Sequence, residues 1–206
     1  MRIIDVSMEI HHGMMVYKNM EVNRPTIENL RNFESSSMYE SGIRFNMHTG
    51  THVDFPLHAI KDGGVSTGHD ISRFISKAKV LDLRHVEDCI KRDDLSNHAI
   101  SKGDFILLKT KNSEDETFNP NFVYLCEDAA RYLSEQNING VGIDALGIER
   151  NQPDHRTHKH LLQAGIIILE GLRLKEIEQK EYTLLCLPLK IKGVEALPVR
   201  AVLLEE

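Results

Sequence analysis

No apolar run in the 206-residue sequence approaches the length of a membrane span; Ile166 to Leu169 is among the longest, so no membrane partner is expected. The opening residues, Met1-Arg2-Ile3-Ile4-Asp5, lack the long apolar stretch of a signal peptide. Cysteine is scarce: Cys89, Cys126 and Cys186 are odd in number, scattered and without a CxxC pair. A disulfide framework is therefore not expected; each cysteine reads as a small core residue, and a reducing cytoplasm fits. There is no Lys/Arg cluster and the formal net charge is −6, which argues against a nucleic-acid surface. Repeats, low-complexity segments and linkers are also missing, so one domain over residues 1–206 is expected.

What is present is concentrated in one stretch, His48-Thr49-Gly50-Thr51-His52-Val53-Asp54-Phe55-Pro56-Leu57-His58, with three histidines and an aspartate in eleven residues. As a helix it would put His48 and His52 on one face but Asp54 away from both, because each residue turns the helix by about 100°. Gly50, Pro56 and the β-branched Thr49, Thr51 and Val53 also oppose helix. As one extended strand, His48, His52, Asp54 and His58 would share a face, yet the run would span roughly 33 Å. A metal ion holds its ligands at about 2 Å, so the chain must bend, with Gly50 the expected turning point and Pro56 a second break. Imidazoles and a carboxylate suit Zn²⁺, and Mn²⁺ is also reasonable. Asp54 has two oxygens with which to bridge two ions, and His58 is placed to stay free and move protons.

The pattern formed by His48, Gly50, Thr51, His52, Asp54, Pro56 and His58 resembles the signature of the cyclase family of metal-dependent hydrolases, which includes bacterial kynurenine formamidase (arylformamidase) and isatin hydrolase. A second segment carries His155, His158 and His160, then Leu161-Leu162, an apolar run from Ile166 to Leu169, and Glu170. From the residues alone, Glu170 is either a solvated strand end or a group held where a core strand exits. The family pattern counts back from Leu161-Leu162 to His158 and makes His158 and Glu170 metal ligands. The resemblance then implies one ion held by His48, His52 and Asp54, and a second, if present, by Asp54, His158 and Glu170. It implies hydrolysis of an amide-type bond by metal-activated water, with His58 as general acid and base and N-formylkynurenine as the best-known substrate. It further implies a swivelling β/β/α fold and a homodimer or larger assembly acting on a small molecule.

Two departures bear on the substrate. The Pro-Gly that often follows the family's pocket aromatic is absent; Tyr17 is followed by Lys18-Asn19. Tyr17 either stacks on an aromatic substrate or packs in the ordinary way. Position 55, often small in the formamidases, is Phe55, expected to narrow or reshape the pocket. Another amide, a cyclic amide such as isatin, or a lactone fits the same chemistry. The rival class is a non-catalytic metal protein, but structural zinc sites are closed and usually use cysteine, absent from both segments.

Elsewhere, strands are expected over Met1–Ile10, Ile43–Met47, Lys77–Arg84, Phe105–Thr110 and Val141–Asp144, and two more over Tyr182–Pro188 and Val194–Leu204. Asp70 should cap a short helix, another should lie near Asp93, and Glu127–Gln136 is the clearest helix. The predicted class is α/β, a single domain with a mixed sheet.

Overall fold

The run Phe105-Ile106-Leu107-Leu108 is apolar at both odd and even positions, which suits a strand covered on both faces. The computed structural model describes residues 1–205 and places it near the middle of a nine-stranded sheet. In chain order the elements are β1 (Arg2–Asp5), β2 (Thr26–Arg31), β3 (Glu40–Arg44), β4 (His52–Asp54), β5 (Ile75–Asp82) and β6 (Cys89–Ile90). There follow α1 (Arg92–Ser96), β7 (Phe105–Lys109), β8 (Tyr124–Leu125), α2 (Glu127–Glu135), β9 (Gly140–Ile143) and α3 (Arg156–Gln163). The chain closes with β10 (Ile167–Glu170), β11 (Glu181–Leu185), β12 (Ala196–Pro198) and β13 (Val202–Glu205).

The sheet order is β1-β13-β11-β5-β7-β9-β10-β4-β12. The central strands β5, β7, β9 and β10 run parallel, and the flanking pairs are antiparallel, so the sheet is mixed as expected. Side chains alternate faces along a strand. Ile106, Leu108, Val141, Ile143 and Ile168 turn toward the helices and join Leu133, Leu161 and Leu125 in one core. Phe105, Leu107, Val53, Leu169, Leu184 and Leu203 turn the other way into a second core enclosed by the sheet itself. Gly140 and Gly142 make room on that second face: a Cβ on Gly140 would sit 2.3 Å from the Phe105 ring, and one on Gly142 2.8 Å from Leu107.

Several expected elements differ: the first strand stops at Asp5 rather than Ile10, and the strand expected over Ile43–Met47 is the end of β3, which stops at Arg44. Val194–Leu204 is not one strand: β12 pairs with β4, and β13 lies between β1 and β11 at the far end of the sheet. The stretch 25–39, which in sequence is either a loop or an irregular strand, contains β2 and opens a largely exposed hairpin with β3. Cys89 and Cys126 are disulfide-bonded, against the reading of all three cysteines as core thiols; the parallel pairing of β6 with β8 brings together residues 37 apart in sequence. Cys186 is a buried free thiol, and burial pushes its pKa up to about 12. Among the described residues, no helix is long and apolar enough to cross a membrane.

Candidate metal centre

The turn and the strand of the central stretch have separate jobs. Gly50 sits at φ +67°, the left-handed region that turns the chain before β4. Thr51 then ties that turn down: its hydroxyl donates to the Gly171 carbonyl (2.6 Å) and accepts from the Met8 backbone N–H (2.8 Å). Gly171, also left-handed, passes so close that a Cβ there would lie 2.5 Å from the Gly50 carbonyl oxygen. The glycine and threonine of the motif therefore lock β4 against the end of β10 and are not themselves ligands.

Register does the rest. In the antiparallel pairing of β4 with β10, His52 is opposite Glu170 and Asp54 opposite Ile168. These positions share the face on which α3 packs, while Val53 and Leu169 turn into the opposite core. Helix α3, which was not foreseen, carries His158 onto that face. His48 lies before Gly50 and returns from the turn so that its Nδ1 is 3.2 Å from Asp54 Oδ1.

The result is a buried knot of nitrogens and oxygens. His52 Nε2 is 3.3 Å from Glu170 Oε2 and 3.6 Å from Asp54 Oδ1. His158 Nε2 is 3.4 Å from Glu170 Oε1 and 3.6 Å from Asp54 Oδ2. His52 Nδ1 donates to the Gly50 carbonyl at 2.9 Å, which leaves Nε2 as its free nitrogen. Glu170 Oε1 accepts the Ile148 N–H at 2.6 Å. His52, Asp54, His158 and Glu170 are all buried. Nevertheless His52 Nε2, His158 Nε2 and both Asp54 oxygens have no hydrogen-bond partner. Buried polar atoms are rarely left so unless a shared partner satisfies them.

The spacing suits a shared cation. Atoms at the corners of a tetrahedron about an ion roughly 2.1 Å away stand about 3.4 Å apart; these stand 3.2–3.6 Å apart. Charge-assisted hydrogen bonds would be shorter, about 2.7–2.9 Å. One set of atoms from His52, Asp54 and Glu170, and another from His48, Asp54 and His58, each fall within 4.8 Å of one another. Glu170 thus faces both His52 and His158, whereas the expected partition placed it with Asp54 and His158.

The protein's own charges tell the same story. Burial opposes ionisation of Asp54, but His158, His48 and His52 hold its pKa well below the carboxylate range. Burial and the Asp54 charge oppose ionisation of Glu170, yet His158 and His52 bring it to about 2. Burial disfavours the charged form of His52, but Glu170 and Asp54 raise its pKa to about 9. Two buried carboxylates demand positive charge beside them.

His58 is exposed at the start of the segment after Pro56, with ring centroids 4.4 Å from His48 and 5.1 Å from His158. Partial burial of the ring, with His48 and His158 nearby, holds its pKa below the usual histidine value against the pull of Asp54. These groups open on a cavity of about 380 Å³, lined among others by Met15, Tyr17, Asn46, Leu146 and Gln152. Tyr17 is in that wall, its ring edge-on to Phe118 at 5.1 Å. Lys18 and Asn19 both take left-handed backbone, and so turn the chain where the family often has Pro-Gly. Phe55 does not narrow this cavity: one position out of step with Asp54, it is buried in the core behind the sheet, 4.9 Å from the His69 ring.

Glu149 escaped sequence reasoning. Its carboxylate holds His155 Nδ1 and lies 3.3 Å from both the backbone N–H and Nδ1 of His158. Glu195, 3.5 Å from His48 Nε2, was also missed. Neither has a periodic or motif signal. His160 faces Glu127 away from the centre.

A model of the family described as Putative cyclase matches residues 4–150, a span that ends before His158 and Glu170. A kynurenine formamidase of Salinibacter ruber is 31% identical over 206 residues, covering 98% of this chain and 97% of its own. A solved structure of a potential metal-dependent hydrolase with cyclase activity is 44% identical, with a TM-score of 0.92 over 98% of this chain and 96% of that one. Isatin hydrolase A from Labrenzia aggregata, 22% identical, shares the fold with a TM-score of 0.83 over 100% of this chain and 94% of its own.

Proposed function

We propose, from the premise that this chain belongs to the Putative cyclase family, that it is a metal-dependent amide hydrolase of the arylformamidase type. The reading is that it converts N-formylkynurenine, or a close aryl formamide, to the free aryl amine and formate. The observation that carries it is the convergence of unpartnered buried atoms from His52, Asp54 and His158 beside Glu170, next to a cavity lined by His48, His58, His158 and Glu170. His48, His52, Asp54, His158 and Glu170 would hold one or two ions, with Zn²⁺ preferred and Mn²⁺ the alternative for a ligand set without sulfur. When bound, such an ion polarises a carbonyl and lowers the pKa of water toward neutrality.

The chain's own groups divide the remaining work. His58 is neutral at neutral pH, so it takes a proton from the attacking water and returns it to the departing aryl amine. Tyr17, Met15 and Leu146 offer an apolar wall for an aryl ring, and the cavity volume suits a small-molecule substrate. Asn46 orients the approach to the site by accepting the His48 backbone N–H at 2.8 Å.

The whole chain is read as one such domain, acting as a homodimer. The exposed hairpin of β2 and β3 supports the dimer: it leaves Ile27, Leu30, Phe33, Met38, Tyr39 and Ile43 at the surface. A two-stranded hairpin standing alone is marginally stable in water. Metal-replenished protein should be screened against aryl formamides, isatin and lactones. Turnover of formamides is the expected result; turnover of another class without formamides would discard the substrate while leaving the metal chemistry in place.

A further inference from the structure

We propose that Glu149 is a positioning residue that sets how strongly His158 binds the metal. This rests on the metal-centre reading above. Glu149 is a buried carboxylate, 7% exposed, and its ion-pair contacts among the described residues are with His155 and His158 only. A carboxylate buried without lysine or arginine is costly, so the fold keeps it for what its oxygens touch. Oε1 is held by His155 Nδ1, and Oε2 is 3.3 Å from both nitrogens of His158 that could reach it, the backbone N–H and Nδ1. Nδ1 of His158 is buried and makes no hydrogen bond; the Glu149 carboxylate, 3.3 Å away, is its ion-pair neighbour.

A proton kept on Nδ1 beside a carboxylate leaves Nε2 as the lone-pair nitrogen, and Nε2 is the atom facing Asp54 and Glu170. The two buried histidines are therefore served unequally. His52 has a neutral carbonyl, Gly50, behind it, and His158 has a charged carboxylate, which makes its imidazole the stronger donor. The adjacent residue completes the clamp, because Ile148 N–H fixes Glu170. Two neighbouring residues thus orient both groups that the second segment brings to the centre. The loop that follows supports this role: Asn151, Asp154 and His155 all take left-handed backbone, an uphill choice for residues other than glycine. That backbone turns His155 back onto Glu149.

A purely structural alternative exists, since the Glu149–His158 backbone contact also caps the first turn of α3. The experiment separates the two. Chelator-stripped protein is titrated with Zn²⁺ and Co²⁺ against a competing chromophoric chelator, for E149Q, E149D, H158A and E149Q/H158A. Glu149→Gln keeps a capping oxygen but loses the charge, and should weaken Zn²⁺ binding by about 10–100-fold and alter the Co²⁺ absorption spectrum. In the H158A background E149Q should add nothing further. Wild-type affinity and spectrum in E149Q, or an equal loss in the H158A background, would overturn the proposal. E149D, with its shorter reach, covers a failure of E149Q to fold: a wild-type Co²⁺ spectrum and affinity there would also overturn it. If H158A itself binds metal like the wild type, the metal-centre reading falls instead.

Discussion

Thr51→Val is the perturbation that most directly tests how the centre is assembled, because it keeps shape and removes only a hydroxyl. Thr51 is 2% exposed, and its hydroxyl joins the Met8 N–H to the Gly171 carbonyl across three separate parts of the chain. Valine would leave a buried donor and a buried acceptor unpaired. At about 1–3 kcal/mol for each group, the total loss is about 3 kcal/mol. Thr51→Ser keeps the hydroxyl and gives up one methyl group, about 1 kcal/mol. The assay is urea denaturation of chelator-treated protein followed by far-ultraviolet circular dichroism, since the chain has no tryptophan to report by fluorescence. With an m-value of about 2 kcal/mol/M, T51V should lower the midpoint by about 1.5 M, with the slope unchanged. If T51V and T51S lose the same amount, the lost quantity is packing and the proposed strap does not exist.

Other outcomes follow from the same geometry. His58→Ala should retain metal by elemental analysis while turnover falls about 10²–10⁴-fold, the usual contribution of a proton-transferring side chain; loss of the metal together with activity would make His58 a ligand. Gly140→Ala places a Cβ against the fully buried Phe105 ring and should cost about 1–3 kcal/mol in a thermal melt, with F105L partly restoring it. Burial pushes the Asp144 pKa up to about 6 despite hydrogen bonds from Ser113 and Thr110. Its native state therefore binds a proton more tightly than the unfolded chain, so this group's stability contribution is present at low pH. It is lost as pH rises from about 4 through 6, by roughly 3 kcal/mol in all. Asp144→Asn cannot ionise, so the wild-type-minus-variant stability difference should change with pH across that window; a constant difference would show that Asp144 titrates normally.

Much of the centre could be read from local chemistry. A strand of three residues alternates faces whatever its neighbours, so His52 and Asp54 had to point together once Gly50 and Pro56 bounded the run. The same alternation held the answer for Phe55, which is out of step with Asp54 and belongs to the core behind the sheet; proximity in sequence to Asp54 was mistaken for proximity to the pocket. Glu149 could not be found that way. It reaches His158 across a loop of left-handed residues, and no period or spacing encodes that return. The Cys89–Cys126 bond was hidden for a similar reason: two-residue strands leave no pattern, and only their pairing closes the distance.

By itself, then, the sequence determined the donor types, the turn at Gly50, the parity that sets His52 with Asp54, and a core of strands apolar on both faces. Tertiary structure alone decided that β4 lies on β10 in the register that sets His52 opposite Glu170, and that α3 lowers His158 onto the same face. The physical reason is one of range. Side-chain direction follows from the dihedral angles of each residue and its immediate neighbours, whereas register and helix placement are chosen by the burial of two whole cores, to which every strand contributes.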